Sequence, residues 1–413
     1  MKSELGRRIA FTLGALLVYR IGAYIPLPGT DAAAWARISG SHSRDILFGV
    51  FDLPAAGAAR HFAVFALGIL PYITAAILMQ IAAFGSRRLR ALSASGDRGR
   101  EKIEVYTLYL AAVLTAFQAF GVAQGLESVR GLVAQPGPLF ELTTVLSLTA
   151  GTVLLVWLAN QITARGIGNG LALVLAVGLM IDLPQIFAVA VERARMGYIS
   201  INVVVVAVIL AAAVTAFIVV VESARRVIVV DFPSRTIAGK TLEGGSAGVP
   251  VKLNSAGMIP SVFAGWVIAI LALGLMVGVG ADSAAVARQL GHGHLLFWIL
   301  FGVLVMLLTL FYTAFLIDPE RASEQLKTYG GVVRGVLPGE DTAAYLDNVL
   351  SRITLVGAVY LALVFVVPEM LIVYFGLPLY LGGASFLIVV CAVLDIGAQV
   401  KQQSQLTAGG YRT

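Results

Sequence analysis

Ten apolar runs recur along this chain, roughly 9–25, 62–84, 105–124, 142–162, 171–191, 199–221, 258–279, 295–317, 353–373 and 379–400, each with at most one charged residue. About 20 apolar residues carry a helix across the hydrocarbon core of a bilayer. Inside lipid only helices and closed barrels satisfy their own backbone polar groups. The recurrence therefore predicts an all-α polytopic membrane protein with ten transmembrane helices. Composition agrees, since 59% of the 413 residues are hydrophobic and 13% are charged, against about 25% charged in soluble domains. The net charge of +6 resides in loops between the runs, which is a membrane-protein pattern and argues against a nucleic-acid substrate.

Cytoplasmic loops carry the excess of Lys and Arg. With the N-terminus in the cytoplasm, 21 of the 29 Lys and Arg residues fall on that side, so both termini are expected there. The basic start, Met1 to Arg8, runs straight into the first apolar run without a small-residue cleavage site at the right distance, and is read as a retained span. The fifth run is interrupted by Asp182 and Pro184 and the ninth by Pro368 and Glu369, so both are expected to end early or bend.

Two cytoplasmic loops are long. Loop 222–256 holds β-branched residues at 227–230 and a glycine-rich stretch, Gly244-Gly245-Ser246-Ala247-Gly248, predicted to form the tip of a protruding hairpin. Loop 318–352 mixes charges with Gly330-Gly331 and Pro338-Gly339. Loops of this length are functional or disordered, and the functional reading is docking of a cytoplasmic partner through residues such as Arg225, Arg226, Arg235, Lys240 and Arg334.

An internal repeat follows. Gly68-Ile69-Leu70-Pro71-Tyr72-Ile73 opens the second run and Gly257-Met258-Ile259-Pro260-Ser261-Val262 opens the seventh. Division into five plus five spans, 1–191 and 192–413, would invert the second half in the membrane. Inverted repeats mark transporters and channels whose pathway lies between the halves. Two unrelated prolines in first helical turns would give the same match.

The second, third, fourth, sixth, seventh and eighth runs contain no Asp, Glu, Lys or Arg. Ionisable groups within the membrane are costly and mark ion or proton pathways, so their absence from these runs leaves an ion-coupled pump poorly supported. Amides at Gln80, Gln118, Asn160, Asn254 and Gln399 suit helix–helix contacts. His42, His61, His292 and His294 lie in loops without metal-ligand spacing, and Cys391 has no intrachain partner. Arg165-Gly-Ile-Gly-Asn-Gly170 follows a span rather than a strand and lacks the spacing of a nucleotide loop. No catalytic residue, metal or cofactor is expected.

Five segments together resemble the SecY family of protein-conducting channels: Arg20-Ile-Gly-Ala-Tyr-Ile-Pro-Leu-Pro-Gly29, Phe65-Ala-Leu-Gly-Ile-Leu-Pro-Tyr-Ile73, Gln161-Ile-Thr-Ala-Arg-Gly-Ile-Gly-Asn-Gly170, Val251-Lys-Leu-Asn-Ser-Ala-Gly-Met-Ile-Pro260 and Thr354-Leu-Val-Gly-Ala-Val-Tyr360. They stand in family order, and the similarity runs from about Leu5 to Val400. The resemblance implies two inverted five-helix halves around a central pore, an outer plug at about 50–62, and a lateral gate toward lipid. It implies a pore ring of Ile69, Ile73, Leu175, Val262 and Ile388, and polar gate positions at Gln80 and Asn254. An apolar ring offers nothing to replace an ion's hydration shell. Implied partners are SecE, SecG, the SecA ATPase or a ribosome, and an unfolded preprotein with its signal sequence, in the bacterial inner membrane.

Two positions depart from the family pattern. The plug usually begins Ser-Gly-Gly, where this chain has Pro54-Ala-Ala-Gly-Ala-Ala-Arg-His61, and the arginine that usually precedes Pro-Gly-Glu is Leu337. A secondary transporter with an inverted repeat and a divergent accessory member of the family stand as alternatives.

Overall fold

The computed structural model describes residues 2–31, 63–128, 131–181, 183–233, 235–237, 240–242, 245–277, 286, 289–291, 293–375 and 382–409. The plug segment, His42, His61, His292 and Asp182 lie outside the described residues. The chain divides into two compact units, Met1–Glu192 with Ile388–Thr413, and Arg193–Leu387.

The first unit contains α1 (Lys2–Gly22), α2 (Leu70–Gly85), α3 (Arg87–Ala94), α4 (Asp97–Ser128), α5 (Pro138–Arg165), α6 (Gly170–Ile181) and most of α7 (Leu183–Arg195). The second contains α8 (Ile201–Ser223), β1 (Arg225–Phe232), β2 (Arg235–Ile237), β3 (Lys240–Leu242), β4 (Gly245–Lys252), α9 (Ile259–Val277), α10 (Leu295–Leu316), α11 (Pro319–Thr328), β5 (Val332–Val333) and α12 (Glu340–Phe375). The last helix, α13 (Gly383–Gly409), starts in the second unit and joins the first from Ile388 onward. The division at 191/192 expected from sequence assigned that last span wholly to the second half. Within the first unit, Gln399 Oε1 of α13 accepts the Gly168 N–H at 2.8 Å.

The protein is a mostly helical membrane protein. Six helical segments among the described residues are long and apolar enough to cross a bilayer, and α2, α6 and α9 contribute shorter apolar helices. Their outward faces are greasy. Tyr109, Val113 and Phe117 line one face of α4, and Ile299, Val303, Leu307 and Phe311 one face of α10, all exposed at i,i+4 spacing. Continuous apolar faces of this kind are costly in water and ordinary in lipid. The break expected at Asp182 in the fifth run lies outside the described residues.

In the first unit α2 is the centre of the packing. Ile69, Tyr72 and Ala75 meet Tyr19 from α1, Leu155, Ala159 and Ile162 from α5, and Val174 from α6. In the second unit the three-stranded sheet, ordered β4-β1-β5, buries Ile228, Val230 and Val333 against Leu346, Val349 and Ile353 of α12. That contact explains why α12 extends through polar residues 340–352: its inner face is a floor for the sheet.

This arrangement corrects the early end expected at Pro368 and the glycine tip expected in loop 222–256, and it gives loop 318–352 its structure. Pro368 does not end its helix, because α12 continues to Phe375. Proline leaves the carbonyl four residues earlier without its helical donor, and that carbonyl, Val364 O, is where Gly383 sits. A Cβ on Gly383 would lie 1.6 Å from it, so only glycine fits. In loop 222–256 the glycines are not the tip: Gly245 and Gly248 belong to β4, paired antiparallel with Phe232 and Val229 of β1, and β2 and β3 extend the hairpin further. Loop 318–352 is structured, with Asp318 capping α11 by accepting the Glu320 and Arg321 N–H groups, and β5 pairing with β1.

Candidate functional site

The six-residue repeat is also a repeat of backbone geometry. Gly68 and Gly257 have φ of +59° and +63°, in the left-handed region that favours glycine. Two residues later α2 and α9 begin, each with proline as its second residue, where the missing N–H is harmless. The same turn therefore delivers Ile69 and Ile73 in one unit and Val262 in the other.

Of the predicted ring, Ile69, Ile73, Leu175 and Ile388 belong to the first unit and Val262 to the second. Ile69 is fully enclosed and Leu175 nearly so. Both line one small cavity of about 20 Å³, together with Tyr19, Phe65 and Leu155. Ile73 packs on the same cluster, Val262 is half-buried, and Ile388 is buried in α13.

The two gate positions differ in surroundings. Gln80 lies exposed on the last turns of α2. Asn254 is 5% exposed and joins several elements of its own unit. Its Nδ2 donates to Glu222 Oε1 at 2.7 Å, and its Oδ1 accepts the Gly257 N–H at 2.9 Å, which secures the turn opening α9.

The glycine-rich run after α5 is a tight joint. Thr12 Oγ1 accepts the Ile167 N–H, Gln399 Oε1 that of Gly168, Thr163 Oγ1 that of Gly170, and Asn169 Oδ1 that of Leu171. Its amide hydrogens are spent on protein acceptors, the opposite of a phosphate cradle. Other predicted amides also act within the protein: Asn160 donates to Glu104.

On the loops, Arg225 and Arg226 are exposed at the start of β1, while Arg235 opens β2 opposite Leu242 and Lys240 opens β3 opposite Ile237. Arg334 has a task that sequence did not reveal. Its Nε and one terminal nitrogen each reach Asp231 at 3.0 Å, and the same terminal nitrogen donates to Ser246 Oγ at 3.3 Å. Ser246 in turn donates to Asp231 at 2.6 Å. The guanidinium of Arg334, and then the Ser246 hydroxyl, hold the Asp231 carboxyl below the usual carboxylate range, and Asp231 raises Arg334 in return. The pair, reinforced by the Arg334 N–H donating to Val229 O, staples loop 318–352 to the hairpin. The signal missed in sequence was a charge pair 103 residues apart. Leu337 is 72% exposed next to the staple, its carbonyl accepting from Thr342 Oγ1.

Comparison with known proteins agrees with this architecture. A family profile described as SecY matches residues 63–397. Protein translocase subunit SecY of Escherichia coli K12 is 39% identical over 405 residues, covering 96% of this chain and 91% of that protein. The subunit of the same name from Rickettsia bellii is 35% identical over 419 residues, covering 100% and 96%. Among solved structures, one described as the structure of a protein conducting channel superposes with a TM-score of 0.66 at 16% identity, covering 97% of this chain and 93% of that one. Sec61 in the canine ribosome–channel complex gives 0.64 at 16% identity, with the same coverage. A profile over most of the chain and relatives this similar along nearly their whole length settle its kinship: the chain is a member of the SecY family.

Proposed function

We propose that the protein is the channel subunit of a Sec translocon, conducting unfolded, signal-bearing polypeptides across the bacterial inner membrane and laterally into it. The observation that carries this reading is the repeated glycine–proline helix start, which gives α2 and α9 matching entries in separate units of a SecY-family chain. Ile69, Ile73, Leu175, Val262 and Ile388 supply an apolar constriction that disfavours water and ions yet can repack around a moving chain. Gln80 and Asn254 supply a polar latch at the lateral gate. A membrane hydrogen bond of this kind contributes about 0.6–1.7 kcal/mol, modest enough for a signal sequence to displace. Both termini face the cytoplasm, with the stapled hairpin and α11 on the same side.

The chain supplies no catalytic groups for transport, so the work comes from partners: SecE bracing the two halves, SecG alongside, and the SecA ATPase or a ribosome at the cytoplasmic loops. The exposed Leu337 and the engaged Arg334 give this surface less free positive charge than the family pattern, so motor contact rests more on Arg225, Arg226, Arg235 and Lys240. The test is reconstitution. The protein, copurified with its small partner and placed in liposomes with the motor ATPase and ATP, protects an added preprotein from protease. Protection that does not depend on this chain contradicts the proposal.

A further inference from the structure

Glu222 is the last acidic group before the hairpin, and nothing in the transport reading uses it. It sits in the final turn of α8, half-buried, after more than twenty residues without a charge. Its Oε1 accepts two neutral donors from different elements: Asn254 Nδ2 at 2.7 Å and the Tyr360 hydroxyl at 3.2 Å. Tyr360 comes from α12 and is itself buried, its ring tilted against Phe217 of α8 with centroids 5.7 Å apart. Three residues earlier on α12, Gly357 admits the Leu253 carbonyl so closely that a Cβ would lie 2.6 Å from it. The segment leading into α9 is therefore gripped from α8 and α12 at one carboxylate.

We propose that Glu222 is the positioning residue of the gate, acting through Asn254; the proposal rests on the reading of Asn254 as a gate residue. A primary amide has two N–H donors and two carbonyl lone pairs. Glu222 takes one donor and the Gly257 N–H takes one lone pair, so the direction of the remaining donor and acceptor is fixed. Because Asn254 also secures the Gly257 turn, the same carboxylate sets where the first turn of α9 stands relative to α8 and α12. Opening then requires only the remaining donor and acceptor of Asn254 to be released, while α9 stays attached to its own unit.

The test compares Glu222→Ala with Glu222→Gln in the full complex, reading export of one preprotein with an intact and with a defective signal sequence. Alanine frees Asn254 to reorient and raises the ratio of defective to intact export about three- to eighteen-fold, the range expected for losing one membrane hydrogen bond. Glutamine keeps an acceptor oxygen and returns the ratio toward the parental value. A purely structural role would lower both exports together and leave the ratio unchanged. An unchanged ratio in a normally abundant Glu222→Ala protein overturns the proposal, as does a glutamine variant that matches alanine. If the alanine variant fails to accumulate, Tyr360→Phe carries the test by removing one hydroxyl from Glu222: a raised ratio supports the proposal and an unchanged ratio overturns it. Failure of the parental protein to export even the intact-signal substrate would instead defeat the channel reading, a separate and visible outcome.

Discussion

Replacing Ile388 with asparagine probes the proposed constriction by placing a polar amide where an apolar branched side chain stood. Ile388 is 3% exposed, so nearly its whole side chain is removed from water. Burying an isoleucine contributes about 1.5–3 kcal/mol, and a buried amide without a partner costs a further 1–3 kcal/mol or so. Only the fraction felt in the closed state and relieved in the open one shifts the gate. If that fraction is about half of the total, the closed state loses about 1.3–3 kcal/mol and the open population rises roughly 10- to 150-fold. The assay is export of a preprotein with a defective signal sequence, normalised to the abundance of the channel variant. Export should rise by at least several-fold while the intact-signal substrate changes little. Unchanged export of the defective substrate, with the variant at normal abundance, would refute the assignment of Ile388 to the ring.

Other expected outcomes follow from the same geometry. Cysteines placed at Gln80 and Asn254, in a background with Cys391→Ser, should crosslink in the resting channel and block signal-sequence entry; a translocating variant that never crosslinks removes the pair from the gate. Arg334→Glu should cut ATPase-driven export sharply with the small partner still bound, and the added Leu337→Arg should restore part of it. Because Arg334 acts through its pair with Asp231, the exchanged pair Asp231→Arg with Arg334→Asp should restore both protease resistance of the hairpin and most of the export. The Asp231 carboxyl is held below its ordinary value, so its contribution is fully present above the unfolded carboxylate range and is lost only as pH falls through the lower folded value. Hairpin proteolysis should therefore be flat from neutral pH to about 4 and rise in stronger acid; loosening already near pH 6 contradicts the pairing. Gly383→Leu should lower thermal stability by a clear margin, since its Cβ has no room beside Val364 O.

What sequence made legible was local. Apolar runs located the helices because a spanning helix bonds within itself, so its signal is confined to adjacent residues. The Gly-x-x-Pro match foretold two identical helix entries because a positive φ and a first-turn proline are properties of single positions. What escaped depended on partners far along the chain. β5 is only two residues long and exists because β1 offers it an edge. The glycines at 245 and 248 read as a turn until the β1–β4 register placed them in a strand. Pro368 reads as a breaker, and nothing near it announces that Gly383 covers the carbonyl it frees. The clasp of Glu222, Asn254 and Tyr360 spans 138 residues, and although Asn254 stood out in sequence, nothing near it named Glu222 and Tyr360 as its companions.

The central claim is that polypeptides pass between side chains of α2, α6, α9 and α13. The direct measurement stalls a translocating preprotein with a folded domain at its C-terminus and a photoreactive residue at successive positions. Crosslinks to single cysteines at 69, 73, 175, 262 and 388 are then compared with crosslinks to one at Phe117, on the outward face of α4 and 77% exposed. The account predicts that one short stretch of the stalled chain reaches all five inner positions and misses position 117. Crosslinks that favour position 117, or that reach none of the five in an actively translocating complex, would contradict it.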